Sequence, residues 1–241
     1  MAMLELRDVV KEYKTGKTSF RALRGISLSI AKGEFVSIMG PSGSGKSTML
    51  HFLGFLDKPT SGEVLIDGRA MSAMDHDGLA IVRNEKIGYV FQSFNLAPTL
   101  SVAKNVELPL ILRETDRKER EEKVREMLTL VRLLPKWDSL PSMLSGGEKQ
   151  RVAIARALST DPDIILADEP TGNLDSASGK DVMDFIYGLW KDHGKTVVIV
   201  THEPVVASYA RRTIHIRDGQ VEKDVAQSGR KAELHELKLK K

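Results

Sequence analysis

The chain has 241 residues, 41% of them hydrophobic and 29% charged, with a formal net charge of +3 and no cysteine. That is ordinary globular composition, long enough to bury a substantial core, and it excludes disulfides, thiolate metal sites and thiol nucleophiles, which fits a reducing compartment. The sequence pI is near 9.0, yet no basic run is interleaved with aromatics as a nucleic-acid surface requires. The start, MAMLELRDVVKEYK, lacks the apolar core of a secretory signal. No apolar run approaches the roughly 20 residues of a membrane span, so the expectation is a soluble chain with any membrane role supplied by a partner.

Short apolar runs rich in β-branched residues predict strands at Leu4 to Val10, Ile26 to Ile30, Phe35 to Met39, Val64 to Ile66, Ile87 to Phe91, Ile164 to Ala167, Thr196 to Val200 and Thr213 to Ile216. Helical stretches lie between several of them. This alternation predicts an α/β core with a largely parallel sheet, because parallel strands need crossover helices. The early strands, separated by turns such as KTGKTS, are expected to form an antiparallel side sheet. From Gln92 to Arg156 the pattern is helical, with Val124, Met127, Leu128, Val131 and Leu134 on one face opposite charges. The residues therefore divide into a core (1–91 plus 157–224), a helical insert (92–156) and a loose charged tail (225–241).

The segment GPSGSGKST comprises Gly40, Pro41, Ser42, Gly43, Ser44, Gly45, Lys46, Ser47 and Thr48. It fits G-x-x-x-x-G-K-[ST] and stands where that motif belongs, between a predicted strand and a predicted helix. The glycines let the backbone curl its N–H groups inward, and the helix start adds a positive dipole end. The result is a socket for a di- or triphosphate, with Lys46 reaching the β and γ phosphates and the Ser47 hydroxyl placed as a Mg²⁺ ligand. A glycine turn with an incidental lysine is the plainer alternative, and the strand-to-helix placement argues against it.

The run IILADE is an apolar strand ending in Asp168 and Glu169. C-terminal ends of parallel strands face the ligand crevice, and adjacent side chains there point different ways. Asp168 is thus a candidate for the Mg²⁺ shell and Glu169 for orienting and polarising the attacking water. His202 ends another core strand and is placed to hydrogen-bond the γ-phosphate. His51, His76, His193, His215 and His235 read as packed or solvated.

With LSGGEKQ (Leu144 to Gln150) ahead of the acidic strand, this set of motifs resembles the nucleotide-binding domain of the ABC ATPases over roughly Leu4 to Glu222. The resemblance implies a P-loop NTPase (RecA-like) core. It implies that Tyr13 stacks on adenine, that Gly40 to Thr48 is the Walker A loop, and that Gln92 touches Mg²⁺ and senses the transporter. It implies further that Ser145, Gly146 and Gly147 of the signature, with free N–H groups, close over the nucleotide held by a second copy. Asp168 then ends Walker B, Glu169 is the catalytic glutamate, Asp175 belongs to the D-loop (Asn173, Leu174, Asp175), and His202 is the switch histidine. At Glu148, with Gln150 two residues on, the signature departs from the commonest form, which has Gln at the fifth position and so puts no acid near the incoming phosphate. Gly172 and Asn173 replace the usual small pair of the D-loop. PTGNLDS and NVELPL are similar to the branch serving lipoprotein release and macrolide export (LolD/MacB type).

The implied function is ATP hydrolysis with ATP and Mg²⁺, by a homodimer formed on ATP binding and coupled to integral-membrane permease subunits at the inner face of the cell membrane. A soluble relative acting on DNA or ribosomes is the alternative, but no long coiled-coil insertion separates Lys46 from Ser145. A small-molecule kinase leaves LSGG and Glu169 without a role.

Overall fold

Two long strands open the chain, β1 (Ala2–Thr15) and β2 (Thr18–Ala31), paired antiparallel with several register shifts. Such bulges add twist. The other edge of β1 takes β4 (Ser61–Ile66), which carries the two-residue β5 (Arg69–Ala70), giving the order β2-β1-β4-β5. The computed structural model describes residues 2–16 and 18–227. His235 and most of the expected tail lie outside them.

The second sheet is built from β3 (Phe35–Met39), β6 (Ile87–Val90), β7 (Ile164–Asp168), β8 (Thr196–Thr201), β9 (Arg212–Arg217) and β10 (Gln220–Ala226), in the order β10-β9-β3-β8-β7-β6. Every pairing is parallel except β10 on β9. Strands β3, β7 and β8 are buried on both faces. This is why FVSI, IILA and TVVIVT read as continuous apolar runs rather than alternating ones.

Helix α1 (Lys46–Leu53) is packed between the two sheets, touching β1 and β2 on one side and β7 and β8 on the other. Its Met49, Leu50 and Phe52 are 0% exposed, and they join one apolar cluster with Leu4, Leu6, Ile38 and Leu166. The other face of the parallel sheet is covered by α5 (Gly146–Leu158) and α6 (Ser176–Lys191). A short α2 (His76–Lys86) leads into β6, and α7 (Pro204–Ala207) follows β8. Between β6 and β7 the chain is helical, with α3 (Val102–Leu112), α4 (Arg117–Leu130) and α5 packed on one another.

Several expectations need adjusting. β1 and β2 run well beyond the predicted strands, and β5 and β10 were not expected. β5 is too short for a periodicity signal, and β10 is almost entirely exposed, so it lacks an apolar face to read. Helix α5 continues to Leu158, past the expected boundary at 156, and β10 takes in residues 225 and 226 of the expected loose tail.

Candidate functional site

Four segments converge at the C-terminal edge of the parallel sheet: the turn after β3, the end of β7, the end of β8, and Gln92 just beyond β6. The turn after β3 runs from Gly40 into α1. Gly43 and Gly45 have φ of +77° and +104°, a region that side-chain-bearing residues avoid. A Cβ on Gly45 would lie 2.7 Å from the Ala22 carbonyl oxygen of β2, and one on Gly40 would lie 2.1 Å from that of Ile216 in β9. The loop therefore passes close to backbone on both sides, and glycine is required for fit as well as conformation.

Within this loop the buried Lys46 ammonium donates to the Pro41 carbonyl at 2.9 Å. The Ser44 hydroxyl is buried without a partner. A curled backbone, an orphaned hydroxyl and a lysine satisfied only by a loop carbonyl fit a polyphosphate, which offers acceptors to all three. Pro41, Ser42 and Gly43 are exposed at the mouth, and Thr48 is half-buried one residue beyond Ser47.

Ser47 Oγ donates to Asp168 Oδ1 at 3.2 Å. Burial pushes the Asp168 carboxyl above its ordinary pKa, with the Ser47 hydrogen bond working the other way. Two hard oxygen donors side by side at the phosphate loop fit Mg²⁺. No cluster of three or more His, Cys, Asp or Glu able to hold a metal occurs among the described residues. A cation here would complete its shell with phosphate and water oxygens.

Glu169 is held from three sides. Its Oε1 accepts from His202 Nδ1 at 3.1 Å and its Oε2 from Gln92 Nε2 at 3.1 Å. Its backbone N–H donates to the Val200 carbonyl at 2.9 Å. The residue has φ +42°, a strained setting that neighbouring contacts must enforce. Gln92 thus sits against Glu169 rather than against the Ser47 and Asp168 pair.

The remaining expected residues lie apart from this cluster. Tyr13 is partly exposed on β1, its hydroxyl donating to Asp57 Oδ2 at 3.2 Å, with the Lys11 ammonium 5.0 Å from its ring centre. It pairs with Phe20 two positions from the Lys11 and Leu23 pair, and Leu23 itself touches the loop at Gly45. Ser145, Gly146 and Gly147 start α5, where Leu174 and the Asn173 carbonyl pack on Gly146 and Ser178 packs on Gly147. Among the described residues no hydrogen bond joins them to the phosphate loop. Asp175 caps α6, accepting from the N–H groups of Ala177 and Ser178.

One expectation at the signature is corrected. The Ser145 N–H is not free, because it donates to Glu148 Oε2 at 2.8 Å while Ser145 Oγ accepts from the Glu148 N–H at 3.2 Å. This reciprocal cap satisfies two of the helix's orphan donors and holds the Glu148 carboxyl below its usual range. The N–H groups of Gly146 and Gly147 remain in the first turn, where no intrahelical acceptor exists.

Sequence reasoning missed the bonds that tie these segments together. Asn173 Nδ2 donates to the Gln92 carbonyl at 2.8 Å, Thr171 Oγ1 donates to Glu203 Oε1 at 3.1 Å, and the Arg156 guanidinium donates to the carbonyls of Phe94 and Asn95 at 2.9 and 2.5 Å. Phe94 and Asn95 have φ of +60° and +48°, an irregular turn that sequence alone does not announce.

A family profile described as ABC transporter matches residues 23–172. The ABC transporter ATP-binding protein MJ0796 of Methanocaldococcus jannaschii is 50% identical over 226 residues, covering 92% of this chain and 96% of that protein. Another ABC transporter ATP-binding protein, from Thermotoga maritima, is 50% identical over 220 residues, covering 91% and 94%. The macrolide export ATP-binding/permease protein MacB of Salmonella typhimurium is 48% identical over 220 residues, which is 91% of this chain but 34% of that longer protein. Among solved structures, the dimeric post-hydrolysis state of the cassette MJ0796, bound to ADP and Pi, superposes with a TM-score of 0.87 at 49% identity, covering 93% of this chain and 98% of that one. None of these relatives favours a DNA or ribosome role. Identity and coverage of this order decide the family: the chain belongs to the ABC transporters, as an ATP-binding subunit with ATPase activity.

Proposed function

We propose that this chain powers a separate membrane permease of the export or extraction kind, by ATP-dependent head-to-tail pairing of two copies and hydrolysis at Glu169. The observation that carries the reading is the clamped Glu169 carboxylate, one residue from Asp168, which bonds Ser47 of the phosphate loop. The loop from Gly40 to Thr48 binds the phosphates, and Lys46 leaves the Pro41 carbonyl for the β and γ oxygens. Ser47 and Asp168 would hold Mg²⁺, which when bound neutralises charge on those oxygens, while Gln92 would join them only on giving up its bond to Glu169.

Glu169 accepts a hydrogen bond from the attacking water and turns the water's lone pair toward the γ phosphorus. A bond forms from that oxygen to phosphorus as its proton passes to the Glu169 carboxylate, the bond to the β–γ bridging oxygen breaks with its electron pair going to ADP, and ADP and phosphate leave, the proton then returning to solvent. His202 bonds Glu169 through Nδ1, which leaves Nε2 for the γ-phosphate. Tyr13 stacks on the base. Ser145, Gly146 and Gly147 meet the γ-phosphate of the second copy with first-turn N–H groups and the helix dipole, and Asp175 caps the neighbouring helix that supports them. The dimeric state of MJ0796 supports this pairing.

A cleft of about 820 Å³, lined by Leu56, Ile81, Tyr89, Leu112 and Arg156 among others, lies between α2 and the helical region. Leu112 there is 79% exposed, an apolar surface that suits a partner protein. A smaller cavity beside it reaches Asn95, within the segment from Ser93 to Leu100 that this reading sets against the permease. No helix among the described residues is long and apolar enough to cross a membrane, so this reading places the chain at the inner membrane face through that partner.

The test is capture of the Glu169→Gln protein, with ATP, from membranes and cytosol of the source cell. A multi-span permease in the captured material supports the reading. Ribosomal or DNA-bound proteins in its place would leave the ATPase chemistry and overturn the transport role.

A further inference from the structure

Gln150 lies in α5 just past the signature start and is 0% exposed. Its Nε2 donates to the Pro170 carbonyl at 2.9 Å in the interior, while its Oε1 has no partner among the described residues. A half-satisfied buried amide is costly compared with an apolar residue of the same size. Its one bond is therefore what sets it apart from methionine or leucine at that place.

That bond ends on the residue after Glu169. Glu169 has φ +42° and is fixed on its N-terminal side by the bond to Val200. On its C-terminal side stands a proline whose φ the ring locks, so a carbonyl held by Gln150 leaves Pro170 little freedom. Glu169 is then anchored through strand β8 on one side and through α5 on the other. Helix α5 itself is stiff, being capped at Ser145 and buried along Val152, Ala153 and Ala155 at 0% exposure.

We propose that Gln150 is a positioning residue for hydrolysis: through the Pro170 carbonyl it holds the Glu169 carboxylate in place, linking the nucleotide-facing start of α5 to the hydrolytic group of the same chain. The proposal rests on the reading that Glu169 orients the water. It makes the signature of each copy a sensor of the partner's nucleotide as well as a lid for it, since a shift of α5 on docking reaches the Pro170 carbonyl.

The test uses the full chain carrying Gln150→Met, which keeps the volume and removes the donor. We expect kcat to fall roughly ten-fold, as a slightly misplaced catalytic group does, with KM for ATP within about two-fold of the parent. In a Glu169→Gln background, Gln150→Met is expected to change neither the residual rate nor the ATP-driven dimer. A parent-like kcat in Gln150→Met, or a KM that rises in step with the loss of kcat, overturns the proposal. Gln150→Glu gives an independent readout should the methionine variant fold poorly. Burial raises the acid's pKa and only its protonated form can donate to Pro170, so its rate relative to the parent is expected to rise as pH falls through that raised value, and a flat ratio counts against the link. If the Glu169→Gln protein forms no ATP-dependent dimer at all, the pairing reading fails instead, separately from this one.

Discussion

At Asp168 the geometry sets binding against stability. Burial raises its pKa, so in the nucleotide-free fold the ionised carboxylate is disfavoured at every pH above that raised value, and the cost disappears as pH falls through it. Asp168→Asn keeps the shape and removes the buried charge. At pH 7, calorimetry without nucleotide or Mg²⁺ should find this variant melting higher than the parent, while its Mg²⁺-dependent turnover drops by about a hundred-fold or more. A lower melting temperature would contradict the burial argument. Lys46 behaves differently, because its ammonium makes one bond, to the Pro41 carbonyl. Lys46→Ala should weaken ATP binding by roughly 10- to 100-fold, the worth of a charge-assisted bond, with little change in melting, as titration calorimetry and a thermal scan would show together.

Between residues and the whole chain stands the segment that leads from β6 to α3. Asn105, 0% exposed, takes the Ala97 N–H at 2.7 Å and gives its amide to the carbonyls of Ala97, Leu100 and Ser101 at 3.0 to 3.1 Å. This one side chain replaces the ladder that an irregular segment lacks. Asn105→Ala should cost about 2–3 kcal/mol in urea unfolding, and a cost under about 0.5 kcal/mol would mean that the loop is held by other contacts. Elements of this kind explain what could be read beforehand. Continuous apolar runs announced β3, β7 and β8, since strands buried on both faces need them, and the helical spacing of Val124, Met127 and Leu128 opposite charges announced α4. The Asp218-Gly219 pair, both at positive φ, is a hairpin signal that a reading for apolar faces passes over, which is why β10 was not expected. By contrast, the bonds from Arg156, Asn173 and Gln150 join positions 20 to 81 residues apart in the chain, and no local pattern encodes them. The same holds for Glu148, whose acid could be seen at the signature although its turn back onto Ser145 could not.

On the scale of the molecule, one chain carries a phosphate socket and a separate helix start that faces no phosphate of its own. Gly146 and Gly147 pack against the Asn173 to Ser178 segment, so within a single copy the signature has structural neighbours and, among the described residues, no hydrogen bond to the phosphate loop. On the proposed pairing, two copies related by a two-fold axis would each supply the other's missing wall. Binding that bridges two chains also makes the assembly depend on ligand concentration. The central claim is therefore open to a direct measurement: sedimentation or light scattering of the Glu169→Gln protein at saturating ATP with Mg²⁺, where water activation fails but binding survives. The account predicts a dimer with ATP, its loss when Ser145 is changed to Arg, and a monomer with ADP. A protein that stays monomeric with ATP, or that pairs equally well with Arg at position 145, would contradict it.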